Sequence, residues 1–373
     1  MSRLSNRIIA TVFLVVVTLP LAGNLAGRDG GDAEAENRAL ASFPGFDGTW
    51  ASLASYPDRL ADWFEDHFGW RATLVRWYGE SRLFTLGVSP SASVARGGNG
   101  WLFYIDDFGL EDYANARPFT AFELANWRDA VRRARDWMHS RGGAYVLTVA
   151  PDKHVIYPNE VPSSVRRVNP VSRTDELLSA VADCGVSVDV RTGLLEATSR
   201  ERVYHLTDTH WNDRGAFAAY RQIIDAVRAQ YPAVPPAWQR SDFDAVTRDV
   251  DALDLAAMIG LKRVLREQDL QLVPRRPRRA IVVEPPGAAP TSNSGELITE
   301  IPGSGLPRAV IFRDSFASAL VPFLSEHFSR AVYLWQDDFV PSAVEREHAD
   351  VVIQEIVGRH LYSFMPSPEL VTE

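Results

Sequence analysis

The run AYVLTVAP (144–151) is apolar without a break, which is how a strand reads when both faces of its sheet are covered. A helix precedes it. TAFELANWRDAVRRARDWMHSRGG (120–143) opens with a capping box of Thr120 and Glu123 and carries Trp127, Val131, Ala134 and Met138 on one stripe. It stops at a glycine pair. The alternation then recurs. RTDELLSAVADCG leads into VSVDV (186–190), and RGAFAAYRQIIDAVRAQ places Phe217, Tyr220, Ile224 and Val227 on one face. AVIF (309–312), AVYLW (331–335) and DVVIQEI (350–356) are separated by further helical stretches. Strands that alternate with helices specify an α/β fold with a mainly parallel sheet covered on both faces.

With 373 residues, 46% of them hydrophobic, the chain has enough material for a large core. A net charge of −9 argues against nucleic acid as a partner, because phosphate binding needs a basic face. The single Cys184 excludes an internal disulfide framework and any multi-cysteine metal site. At the N-terminus, Arg3 and Arg7 precede IIATVFLVVVTLPLAG (8–23), and acidic residues follow. We read 1–27 as a retained signal-anchor, with a cleaved signal peptide as the alternative. Either puts the body of the protein outside the cytoplasm, in the periplasm or on the outer face of the membrane. Residues 28–50 read as a linker, 51–365 as the functional domain, and the Pro-rich 231–308 as an irregular insertion within it.

The chemistry concentrates in YHLTDTHWNDRG (204–215). Asp208 and His210 stand two apart, which in an extended segment places both side chains on one face. A carboxylate beside an imidazole fixes its tautomer, as a general base requires. Two other readings stay open from spacing alone: His205, Asp208 and His210 as metal ligands, or an ordinary hydrogen-bonded loop. A nucleophile is available in RAVIFRDSFASAL (308–320), where a strand runs straight into Arg313, Asp314 and Ser315. Ligands of open α/β sheets bind beyond the strands' carboxyl ends, and a helix after Ser315 would aim its dipole at a developing oxyanion. The plainer alternative is that Asp314 or Ser315 is only a helix N-cap.

DTHWN…G (208–215), FRDSF (312–316), GGNGWLFY (97–104), VAPDKHVIYP (149–158) and QEIVGRHL (354–361), with WFEDHFGWRATLV (63–75) ahead of them, resemble the alginate O-acetyltransferase family, the AlgX/AlgJ group. The resemblance covers about residues 55–362. It implies a flavodoxin-like α/β/α sandwich of the SGNH-hydrolase type and a catalytic triad of Ser315, His210 and Asp208, in an order permuted relative to ordinary SGNH esterases. It also implies O-acetylation of an exported polysaccharide through an acetyl-serine intermediate. No cofactor and no metal are implied. A multipass membrane acyltransferase is the implied acetyl donor. Arg313 stands where SGNH esterases carry glycine, and their separate Gly and Asn blocks are missing. Lys153, Tyr157 and Arg313 are therefore candidates for oxyanion or substrate binding, with a solvated surface position, or for Lys153 a helix-terminal charge, as the alternative. Trp211, with Trp101, Phe103 and Tyr104, is a candidate for a sugar-stacking face, with burial in the core the plainer reading for most of these aromatics. Two rival functions remain at this level: a carbohydrate esterase with the same triad, and a non-catalytic polysaccharide-binding protein.

Overall fold

The computed structural model describes residues 3–26, 39–283 and 295–367. Residues 28–38 of the expected linker and 284–294 of the Pro-rich stretch lie outside these. The chain divides into two compact units. One holds the residues up to Arg96 together with Asp251–Glu267, and the other holds Gly97–Val250 and everything from Gln268 onward.

The first unit is helical, with helices at Arg3–Leu25, Trp50–His67 and Arg71–Glu80. Thr49 caps the second, its hydroxyl accepting the Ser52 amide at 3.1 Å. The structure corrects the membrane assignment. Among the described residues no helix is long and apolar enough to cross a membrane. The apolar run 8–23 is sixteen residues, interrupted by Thr18 and Pro20 and followed by Asn24, whereas a bilayer core calls for roughly 20. The signal-anchor over 1–27, the attachment to the inner membrane, the anchored localisation and the multipass membrane donor inferred alongside them are therefore withdrawn.

The second unit is built on a seven-stranded sheet. In chain order its strands are β1 (Ala144–Ala150), β2 (Ser187–Val188), β3 (Ile281–Val283), β4 (Leu297–Glu300), β5 (Arg308–Arg313), β6 (Arg330–Trp335) and β7 (Val351–Val357). Their spatial order is β2-β1-β7-β5-β6-β4-β3. The first five are parallel, and β4 and β3 add an antiparallel edge. This is the expected α/β architecture, a mostly parallel sheet between helical layers. Helix α1 (Ala121–His139) buries the predicted stripe of Trp127, Val131, Ala134 and Met138 against Tyr145 and Leu147 of β1 and Val310 and Phe312 of β5. Its Thr120 and Glu123 close the predicted capping box. Helix α2 (Asp213–Gln230) packs on β1 outside that cluster, burying Phe217, Tyr220, Ile224 and Val227. Residues 231–308 supply β3 and β4, and a separate two-stranded ribbon joins Phe243–Asp251 with Arg266–Pro274.

Behind α2 lies a buried histidine. His327 is fully buried; a neutral ring protonated on Nδ1 donates to the Pro235 carbonyl at 3.1 Å and accepts the Tyr220 hydroxyl at 2.7 Å. That hydroxyl in turn accepts the Trp238 amide at 2.8 Å. Burial, reinforced by Arg279, Arg228 and Arg276, outweighs the Pro235 hydrogen bond and lowers the ring from its ordinary 6.5 to about 4. Between those values the unfolded chain binds a proton that the folded chain refuses. The stabilisation is therefore complete above about pH 6.5 and lost as pH falls to about 4, a change on the order of 3 kcal/mol. Thermal melts from pH 7 to 4 should show this loss, and His327→Gln should flatten it. An equal slope in the variant would place the acid sensitivity elsewhere.

Candidate active site

The site is assembled at the carboxyl ends of β1, β7 and β5, which lie side by side. Beyond β5, Ser315 begins a tight 3-10 turn, Phe316–Ala319. Pro322 sits at the start of the next short helix, Val321–Leu324, where a missing amide does no harm. No long helix follows the serine, so the helix-dipole support expected there is absent. The neighbouring Asp314 is buried, and its carboxylate accepts the Phe316 amide at 2.8 Å and the Val357 amide at 2.6 Å. The turn is thus fastened to the end of β7. Glu355, fully buried within β7, accepts the Asp314 amide at 3.1 Å. Burial and then the Asp314 charge push its carboxyl well above the usual range.

The histidine arrives on a loop. Tyr204 and Trp211 form an antiparallel bridge, flanked by bonds from the Asn212 amide to Val203 O at 3.1 Å and from the His205 amide to His210 O at 3.3 Å. Asn212 then caps α2, accepting the amides of Arg214 and Gly215 at 3.0 and 3.1 Å. Gly215 is required because a β-carbon there would collide with the Val203 carbonyl. Asp208 and His210 therefore do not pair by strand alternation, as the spacing suggested. The Asp208 Oδ1 accepts both the His210 amide at 2.9 Å and the ring Nδ1 at 2.7 Å, a local side-chain turn that locks ring to carboxylate. The opposite ring nitrogen, Nε2, lies 2.8 Å from Ser315 Oγ.

Electrostatics suit this chain of contacts. Burial alone would raise the Asp208 carboxyl. The hydrogen bond and charge of the His210 ring, with the His210 amide, outweigh it and hold the carboxyl well below the usual carboxylate range. An ionised Asp208 keeps the proton on Nδ1 and leaves Nε2 free to accept one from the serine. The His210 side chain is 29% exposed, so the ring is partly open to solvent.

The remaining predicted residues build the frame. Trp211 is 2% exposed and offers no stacking face. Its indole N–H donates to Phe316 O at 2.9 Å, and its ring packs edge-on against Phe316, tying the histidine loop to the serine turn. Trp101 and Phe103 are likewise buried. The Tyr157 hydroxyl accepts the Val203 amide at 2.9 Å, and its ring lies 4.3 Å from Trp101. Arg313, buried at the end of β5, donates to Asp314 O and to Ser318 Oγ at 3.2 and 3.0 Å and covers the Trp335 ring. Lys153 is buried under the histidine loop. Several supports had gone unread in the sequence. The Arg359 guanidinium donates to Asp152 Oδ1 at 2.6 Å and its amide to Asp152 Oδ2 at 3.1 Å, joining β7 to β1. The Tyr204 hydroxyl bonds Pro151 O, joining the histidine loop to β1. Asp112, Asp152 and His154 bring ligand-type atoms within 4.8 Å of one another, as do Asp314, Asp337 and His360. Asp152 and Asp314 are already committed to the amides and guanidinium above, and His154 Nε2 bonds Asp112 at 2.8 Å.

Comparison with known proteins agrees with this architecture. The sequence model of one family, described as the SGNH hydrolase-like domain of acetyltransferase AlgX, matches residues 94–336. A probable alginate O-acetylase AlgJ of Pseudomonas aeruginosa is 27% identical over 209 residues, 53% of this chain and 50% of that protein. Its counterpart in Pseudomonas syringae pv. tomato is 26% identical over 140 residues, 37% of this chain and 34% of that protein. The chain thus spans half or less of the length of these relatives. PatB1 of Bacillus cereus shares the fold, with a TM-score of 0.53 at 15% identity over 73% of this chain and 98% of its own.

The Trp211 tie is open to test. Trp211→Phe keeps a ring against Phe316 but loses the indole donor. It should cost about 1 kcal/mol of stability and lower turnover of an artificial acetyl ester by about tenfold through a loosened serine–histidine geometry. Melting curves and steady-state kinetics on the same preparation check both, and unchanged turnover would show that the tie does not hold the site in register.

Proposed function

The chain belongs to the AlgX family of SGNH hydrolase-like acetyltransferase domains, and from that premise we propose that it O-acetylates a polysaccharide hydroxyl through an acetyl-Ser315 intermediate. Family membership supports an acetyl-transferring activity. The residue-level chemistry is our reading, and one observation carries it: Ser315 Oγ, His210 Nε2, His210 Nδ1 and Asp208 Oδ1 follow one another at 2.8 and 2.7 Å.

In this reading His210 Nε2 takes the proton of Ser315 as Oγ bonds to the carbonyl carbon of an acetyl ester. The tetrahedral intermediate expels the donor's alcohol, which leaves with that proton, and the acetyl group stays on Oγ. His210 then deprotonates a sugar hydroxyl, which attacks the acetyl-serine, and the imidazolium returns that proton to Ser315 Oγ as the ester bond to it breaks. Asp208, held ionised, stabilises the imidazolium formed in each half. The oxyanion would be met by the Ser315 amide, which has no acceptor among the described residues; the Phe316 amide is already taken by Asp314. The alginate O-acetylase relatives make a polysaccharide the acceptor class we favour over water.

Ser315→Ala should abolish acetyl transfer, measured by mass spectrometry of an oligosaccharide incubated with an activated acetyl ester, and leave the melting temperature nearly unchanged. Asp208→Asn should lower kcat by roughly two to four orders of magnitude. Removing the charge beside the imidazole should also move the acid limb of the residual activity to lower pH. Near-wild-type transfer by Ser315→Ala would overturn the nucleophile assignment. Acetate release without oligosaccharide acetylation in the wild type would turn the reading into an esterase.

A further inference from the structure

Lys153 follows β1 by three residues and is 3% exposed. Its ammonium donates to three carbonyls of the histidine loop: His205 O at 3.1 Å, Leu206 O at 3.1 Å and Asp208 O at 2.7 Å. The rings of Trp101 and Phe103 lie 5.4 and 5.3 Å from Nζ, within cation–π range. An ammonium has three N–H donors, and here three carbonyl oxygens converge on it.

Such convergence has a cost that a cation offsets most fully, although Leu206 O also accepts the Leu102 amide at 2.9 Å. Three carbonyl dipoles aimed at one point repel one another, and the loop that carries them is closed by the Tyr204–Trp211 bridge. Burying an ammonium is itself expensive unless it is fully coordinated. Apolar packing alone would have needed no charge at this position. Asp208 is joined to the ammonium through its main-chain oxygen and to His210 through its side chain. The lysine thus fixes the backbone of the residue whose carboxylate orients the imidazole.

We propose that Lys153 is a positioning residue for acetyl transfer, an internal ammonium that gathers the 205–208 carbonyls and thereby sets the Asp208 carboxylate on His210. This rests on the Ser315–His210–Asp208 reading and gives Lys153 a part distinct from the oxyanion contact that the sequence suggested. The position is matched to a compact cation rather than to charge in general, since the planar fork of an arginine presents its donors in a different geometry.

The test uses the full chain and an artificial acetyl ester, with Ser315→Ala measured in parallel. Lys153→Met, similar in length but uncharged, should remain folded with kcat down about a hundredfold and KM nearly unchanged, because the loss lies in orienting the base rather than in binding. Lys153→Ala should regain at least tenfold of its lost kcat on addition of n-propylammonium chloride, and nothing on addition of n-propanol or sodium chloride. Lys153→Arg covers the case in which both neutral variants unfold, since it keeps charge and hydrogen-bond donors; a folded arginine variant should still lose kcat. Wild-type kcat in a folded Lys153→Met or Lys153→Arg, or a folded, impaired Lys153→Ala that alkylammonium does not rescue, overturns the proposal. If Ser315→Ala is inactive while Lys153→Met is fully active, only this inference falls. If Ser315→Ala is active, the underlying triad reading falls first.

Discussion

The Asp314 carboxylate spans two strands. One oxygen takes the amide of Phe316, just past the serine, and the other takes the amide of Val357, where β7 ends. Backbone donors that leave a sheet edge must find acceptors or water, and here one side chain accepts from two segments at once. The serine turn thereby acquires a fixed height relative to β7. From β7 the constraint passes through Arg359 and Asp152 to β1, and from Pro151 through the Tyr204 hydroxyl to the histidine loop. Ser315 and His210 come from segments 105 residues apart in sequence, yet each is tied to the same three strand ends.

The buried charges along this route fall into two classes. Asp152 would be raised by burial, but the charge of Arg359, then that of His154 and the Arg359 hydrogen bonds, more than reverse this and hold it below its usual range. Among the described residues Glu355 has no guanidinium hydrogen-bonded to it, and burial with the Asp314 charge pushes it the other way. Low local dielectric explains both, since it strengthens a paired charge and expels an unpaired one. The route therefore holds one ion pair and two carboxyls raised by burial, Glu355 and Asp314, while Asp208, held low beside His210, sits nearer the surface next to a partly exposed ring.

Much of this could be read in the residues alone. The apolar runs at 144–151, 309–312, 331–335 and 350–356 became the parallel core of the sheet, because an uninterrupted run has few other places to go. Asp208, His210 and Ser315 stood out as candidates, but spacing left a triad, a metal site and a capped loop equally open; the choice among them came from the family resemblance, and Asp208 meets His210 through a local turn rather than through strand alternation. Their supports did not stand out. Arg359 and Asp152 are 207 residues apart, and no periodicity links them. Trp211 stood open between a sugar platform and a core ring, because aromatic character in a sequence does not say which way a ring faces; its indole turned inward to Phe316 O. The membrane reading failed on length, where an apolar run next to basic residues carried more weight than Thr18 and Pro20 within it. Strands β3 and β4 were hidden in Pro-rich sequence that has no helical or strand period to betray them.

The order of the strands has a consequence for how the molecule comes into being. β7 is the last strand of the sheet in sequence and lies between β1 and β5. Until it is in place, β1 with β2 and β5 with β6 are two separate fragments, each with an open edge toward the gap. Pairings of such long sequence separation form late and slowly, and a ribosome delivers this strand after all its partners. The histidine loop and the serine turn can each acquire their local shape earlier, one on its bridge and cap, the other at the end of β5. The final strand joins the two fragments into one sheet, so the strand ends that carry the histidine loop and the serine turn are fixed side by side only after nearly all of the domain has emerged.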